Sequence, residues 1–71
     1  MYSGGTFMYA NYWRQLDANQ RETLANQLGT NEDYLRQVLY GYRKAGAKLA
    51  KEIHELTNGQ VSKSRLRPDY F

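Results

Sequence analysis

The chain has 71 residues and a mass of 8.3 kDa, which is room for one small domain. It contains no cysteine, so a disulfide framework and a thiolate metal site are both excluded. Its formal net charge of +3 at pH 7 sits entirely in residues 31–71, where eight Lys/Arg stand against five Asp/Glu. A basic half of this kind points to an anionic partner. So short a chain leaves little space for a deep, preorganised active site, so an enzyme is not expected. A small domain without covalent staples fits a reducing cytoplasm. The stretch from Met1 to Thr6 is too short and too polar for a signal peptide. No apolar run approaches the roughly 20 residues that span a bilayer, so no membrane partner is expected.

Glycines punctuate the chain at Gly4, Gly5, Gly29, Gly41, Gly46 and Gly59, and the apolar spacing between them is helical rather than alternating. The first segment runs from about Thr6, read as its N-cap, to Leu16. Its stripe is Tyr9, Tyr12, Trp13 and Leu16. The second starts at Asn19, which pairs with Glu22 in a capping-box-like spacing. It turns Leu24, Ala25 and Leu28 inward and ends at Gly29. The third starts at Asn31 with Glu32 and Asp33 in its first turn, where the helix dipole favours acids. Leu35, Val38 and Leu39 form its inner face and Gly41 its C′ residue. The fourth spans about Ala47 to Thr57, with Leu49, Ala50, Ile53 and Leu56 inward, and Asn58-Gly59 closes it. Ser62 caps a last short turn through Leu66, and Pro68 helps to stop it. Only Gln60 to Ser62 has the makings of a short edge strand.

Gly29 and Thr30 alone separate the second and third segments, the tight connection of a helix-turn-helix. Ala25 is small where two helices cross closely. Gly29, four residues later, suits a turn that needs positive φ. Leu35 and Val38, ten and thirteen residues after Ala25, are apolar plugs between the helices. An ordinary glycine-ended helical hairpin is the plainer alternative.

The stretch LANQLGTNEDYLRQVLYGYRKAGAKLAKEIHELTNGQVSKSRLRPDYF resembles the phage and prophage Cro-like regulators of the YdaS type. The resemblance rests on LA…LG…YLRQVLYG, on Ala50, Ile53, Thr57 and Gly59 in the fourth segment, and on the tail VSKSRLRPDYF. It covers residues 12 to 71. One departure is Gly46, which stands where relatives often carry a Ser N-cap. The resemblance implies sequence-specific binding of a double-stranded DNA operator, usually as a homodimer, with repression of transcription. Together, spacing and resemblance predict an all-α fold, a compact bundle of four to five helices containing a helix-turn-helix, lambda-repressor-like in type. One domain over residues 1–71 is expected, with a flexible start at 1–5, the helix-turn-helix at about 19–40 and a packed tail at 60–71.

If the third segment enters the major groove, its outer face makes the base contacts. That face offers Glu32, Asp33, Arg36 and Gln37, with Tyr34 at the edge. Arg36 suits guanine and Gln37 suits adenine, both bidentately. Glu32 or Asp33 either accepts from cytosine N4 or only stabilises the helix end. Phosphate contacts are expected from Arg43 and Lys44 after this segment, from Tyr42 beside them, and from Asn19, Gln20 and Arg21 at the start of the second segment. Lys48 and Lys51 read more simply as solvated charges, and Tyr40 as packing. His54 reads as a surface histidine near Glu55, without the companions a metal site needs. No nucleophile–base pair or phosphate-binding loop is present, so no catalytic residue, metal or cofactor is assigned. Leu66, Tyr70 and Phe71 are expected to pack on the body of the domain, in part at a dimer contact, with Asp69 tied to Arg65 or Arg67. Two other classes compete: an antitoxin-like protein-interaction module with secondary DNA binding, and a helical accessory subunit of a nucleic-acid enzyme.

Overall fold

Five helices follow one another in the computed structural model, which describes residues 9–71: α1 (Ala10–Gln15), α2 (Ala18–Gln27), α3 (Glu32–Tyr40), α4 (Ala47–Leu56) and α5 (Lys63–Leu66). No strand forms among the described residues, Gln60 to Ser62 included. The expected cap at Thr6 and the flexible start at 1–5 lie outside the described residues.

Local chemistry sets each boundary. α2 begins two residues earlier than the Asn19–Glu22 pair implied. Asp17 is its N-cap: Gln20 N–H donates to Asp17 Oδ1 at 2.8 Å, and Asp17 N–H donates to Gln20 Oε1 at 2.8 Å. This reciprocal box satisfies two donors that the helix start would otherwise leave unpaired. Asn19 lies inside the helix. α3 starts as its sequence implied, with Tyr34 N–H donating to Asn31 Oδ1 at 2.7 Å. It ends at Gly41, whose φ of 91° only glycine adopts cheaply.

Leu35, Val38, Leu39, Ile53 and Val61 are the large side chains fully withdrawn from solvent, with Trp13, Leu24, Ala25, Leu28, Ala45, Ala50 and Leu66 around them. α3 and α4 therefore supply the centre, and α1 and α2 close one side. Tyr9, Tyr12, Leu16 and Leu49 pack at the rim, half-buried. Leu56, expected inward, is 45% exposed. Thr57 takes the inner position one turn after Ile53, and Val61 covers it, which leaves Leu56 at the edge. Thr57 Oγ1 donates to the Ile53 carbonyl at 2.8 Å and accepts from Val61 N–H at 3.1 Å, so this buried hydroxyl serves as both donor and acceptor.

The ends of the described chain are tied by side chains. Ser62 N–H donates to the Tyr9 hydroxyl at 2.9 Å, and Lys63 N–H donates to His54 Nδ1 at 3.2 Å. Ser62 occupies the N-cap of α5 as expected, but the bond that serves this helix start comes from His54 rather than from the serine hydroxyl. The tail closes through Arg67. Its guanidinium donates to both oxygens of Asp69 at 2.9 Å and to the Ala45 carbonyl at 3.0 Å. Lys44 Nζ lies 3.2 Å from Asp69 Oδ2. Leu66 packs into the core, but Tyr70 and Phe71 do not: they are 66% and 41% exposed and meet edge to face at 4.9 Å.

Candidate nucleic-acid interface

The α2–α3 connection determines what α3 presents. Ala25, buried, lets the two helices approach, and Gly29 turns the chain with φ of 70°. Thr30 N–H donates back to the Ala25 carbonyl at 2.9 Å. Leu35 and Val38 fill the space between the helices at 0% and 1% exposure. With that side of α3 committed to the core, the 3.6-residue period puts Glu32, Asp33, Arg36 and Gln37 on its outer side. Glu32 and Asp33 are exposed; Arg36 and Gln37 are half-buried.

Asp33, Arg36 and Gln37 form one hydrogen-bonded chain that continues to Arg43. Arg36 Nη2 donates to Asp33 Oδ1 at 2.8 Å, and Gln37 Nε2 donates to Asp33 Oδ2 at 2.9 Å. Arg43 Nε then donates to Gln37 Oε1 at 2.8 Å. The Arg43 guanidinium also stands 5.8 Å from the Tyr34 ring centroid, within cation–π reach. Tyr34, half-buried, thus sits at the edge of the face beneath Arg43. The chain folds back to allow this, because Tyr42 and Arg43 N–H both donate to the Gln37 carbonyl.

The start of α2 is more occupied. Gln20 spends its side-chain oxygen on the Asp17 cap. Arg21 donates from Nε and Nη2 to the Trp13 carbonyl at 3.2 and 3.0 Å, and its guanidinium lies 4.9 Å from the Trp13 ring. That arginine joins α2 to the end of α1 and keeps its remaining donors for another partner. Arg21, Glu32, Asp33 and Arg36 line one shallow cleft with Trp13. Asn19 is exposed and borders a separate apolar groove with Tyr12, Leu16 and Leu24. Burial there pushes the Tyr12 phenol above its ordinary value.

Beyond α3, Tyr42 is 56% exposed with its ring 5.9 Å from Tyr40. Lys44 is exposed and already paired with Asp69. The bidentate hydrogen bonds from Arg67, assisted by Lys44, hold the Asp69 carboxyl far below the usual carboxylate range, and Asp69 raises Arg67 in turn. Arg14 was not singled out by sequence reasoning. Its guanidinium and that of Arg36 each lie 5.9 Å from the Tyr40 centroid, which brings α1 to the rim of the α3 face. No local spacing links Arg14 to α3; only the packing of α1 does. Among the described residues no three His, Cys, Asp or Glu side chains gather as metal ligands, and no helix is long and apolar enough to cross a membrane.

Two comparisons bear on this arrangement. A prophage transcriptional regulatory protein of Escherichia coli (strain K12) is 43% identical over 60 residues, which covers 84% of this chain and 91% of the relative. No solved structure matches. The family model described as bacterial toxin YdaS matches residues 20–71. Those residues contain the α2–α3 turn, the whole α3 face and the Arg67–Asp69 clasp, and with that match the chain belongs to the YdaS family.

Proposed function

We propose that this protein is a sequence-specific, duplex-DNA-binding transcriptional regulator whose α3 lies in the major groove. The observation that carries the reading is the outer face of α3, where Asp33 bridges Arg36 and Gln37 and Arg43 holds the other end of Gln37. An arginine donates bidentately to guanine and a glutamine bonds bidentately to adenine, and both stand on a helix held clear of its own core. The printed name of the Escherichia coli relative, a prophage transcriptional regulatory protein, supports the same reading. Arg43, Lys44 and Tyr42 contact phosphates at the end of α3, and Asn19, Gln20 and the remaining donors of Arg21 do so at the start of α2. The finer reading is a Cro-like repressor that acts as a homodimer on a phage or prophage operator in the bacterial cytoplasm and excludes polymerase sterically.

A titration of one duplex at several salt concentrations tests DNA binding as such. Phosphate contacts release counterions, so log K falls linearly with log salt, at about −0.9 per contact. The three cationic contacts, Arg21, Arg43 and Lys44, predict a slope of about −3 per subunit. A flat salt dependence, or equal affinity for the separated single strands, contradicts the reading.

A second reading, a protein-interaction module, draws on Tyr70 and Phe71. These rings border a groove with Ala47, Lys48 and Lys51 on the far end of the chain from the α2–α3 turn. Duplex affinity that survives Arg36→Ala and Arg43→Ala unchanged would favour it.

A further inference from the structure

We infer that Asp33 is a positioning residue: it sets the posture of the two base-reading side chains and does not itself read a base. The inference rests on α3 as the reading helix, and it concerns how that helix discriminates. The Asp33 carboxylate carries two oxygens, and each is spent on a different reader, Oδ1 on Arg36 at 2.8 Å and Oδ2 on Gln37 at 2.9 Å. Each of these oxygens keeps a second lone pair, so acceptance from cytosine N4 is the rival role, and discrimination at single base pairs separates the two. The posture of Gln37 is then fixed chemically. A carboxylate only accepts and a guanidinium only donates. With Asp33 on one side and Arg43 on the other, the amide has one possible orientation, nitrogen toward Asp33 and oxygen toward Arg43. Each end keeps capacity for one more bond: the second hydrogen on Nε2 and the second lone pair on Oε1. One donor and one acceptor, already oriented, are what adenine N7 and N6 require. Arg36 gives one donor to Asp33 and retains the others for guanine O6 and N7.

The same carboxylate has an electrostatic role. It offsets the charge of Arg36 on the face that meets DNA, which weakens attraction to any phosphate backbone while leaving base contacts in place. Ordering two flexible side chains before binding also lowers the entropy lost on docking. Asp33 therefore raises discrimination by both routes, preorganising the correct contacts and reducing indiscriminate ones. Its pair with Arg36 is exposed, 69% on the aspartate side, and such pairs contribute little to folding. Asn31 caps α3 independently, so the fold does not depend on Asp33.

Two measurements on Asp33→Ala and Asp33→Asn test this. The first needs no DNA. In the free protein, the Gln37 side-chain amide and the Arg43 Nε–H should give NMR signals protected from solvent exchange. Asp33→Ala should remove the protection at both. Asp33→Asn, with one accepting oxygen in place of two, should leave it partial. Unchanged protection in Asp33→Ala overturns the proposal, whatever the DNA behaviour.

The second compares affinities for the best duplex obtained by selection, for its single-base-pair variants and for an unrelated duplex. Asp33→Ala should lower discrimination at two neighbouring base pairs, one read by Arg36 and one by Gln37, by about fivefold or more at each. It should also tighten binding to the unrelated duplex. Loss of preference at one cytosine alone would make Asp33 a direct reader and overturn the proposal. If the wild-type protein itself selects no sequence, the reading of α3 fails, and the positioning role falls with it.

Discussion

Thr57 is the buried polar side chain of the core among the described residues, and it shows how one hydroxyl fixes a corner. It gives its hydrogen to the Ile53 carbonyl and its lone pair to Val61 N–H, where Val61 is 0% exposed. Thr57→Val keeps the shape but strands that N–H away from water. The expected cost is about 1–3 kcal/mol, read as a lower urea midpoint, and Thr57→Ser should lose less because the hydroxyl remains. On the proposed DNA face, residues divide by the contact each is proposed to make. Arg36→Ala should relax preference at one base pair and cost about 1–3 kcal/mol on the specific site. Lys44→Ala should weaken all duplexes alike and flatten the salt slope by about one charge. An Arg36→Ala variant with unchanged affinity and preference would remove α3 from the groove.

At the scale of elements, two glycines with open space around them predict opposite outcomes. A Cβ built at Gly29 or at Gly46 meets nothing within 4 Å. The backbone decides instead. Gly29 holds φ at 70°, where any L side chain is strained, so Gly29→Ala should cost about 1–2 kcal/mol and loosen the α2–α3 turn. Gly46 is the N-cap of α4 with φ of −68° and no side chain to accept the helix's first N–H groups. Gly46→Ser adds that acceptor and restricts the unfolded chain, a gain of about 0.5–1 kcal/mol. Denaturant midpoints of the two variants should move in opposite directions.

What the sequence made legible follows the same division. The all-α class and the α3 cap at Asn31 depend on spacings of a few residues, and the structure agrees with both, with Gly29 at a φ of 70° and Leu35 and Val38 buried. The α2 start was misplaced because two acids and two amides offer similar i, i+3 pairs within six residues. Asp17 with Gln20 prevails over Asn19 with Glu22 because Asp17 directly follows the extended residue Leu16 that ends α1. The clasp was only half legible: Asp69 with Arg67 are near neighbours, but the Arg67 bond to Ala45 spans 22 residues. Arg21 on the Trp13 carbonyl and Arg14 at the Tyr40 ring likewise depend on how α1 packs, which no local pattern encodes.

The whole molecule is held at its far end by ionised groups. Arg67, Asp69 and Lys44 join the tail to the loop that follows α3, so the tail and the loop proposed to contact phosphates share one anchor. Because the folded state lowers the Asp69 value, its stabilisation is complete above the ordinary aspartate range near pH 4 and is lost as the pH falls below it. Asp69→Asn should therefore lower Tm at neutral pH, and the gap from wild type should narrow as the pH drops below about 4. A gap constant with pH would mean that the clasp contributes through packing and not through charge.

The proposed homodimer has a geometric consequence. The longest dimension is 32 Å, while two recognition helices on one face of a duplex stand about 34 Å apart. In the proposed homodimer, each copy covers one half-site of a palindrome. The most direct test of α3 as a base-reading helix is selection of bound duplexes from a random library at about 0.1 M salt, followed by sequencing. The account predicts a recovered palindrome with half-sites about one helical turn apart, each holding a guanine and an adenine on neighbouring positions. A library that emerges with no enriched sequence would contradict it.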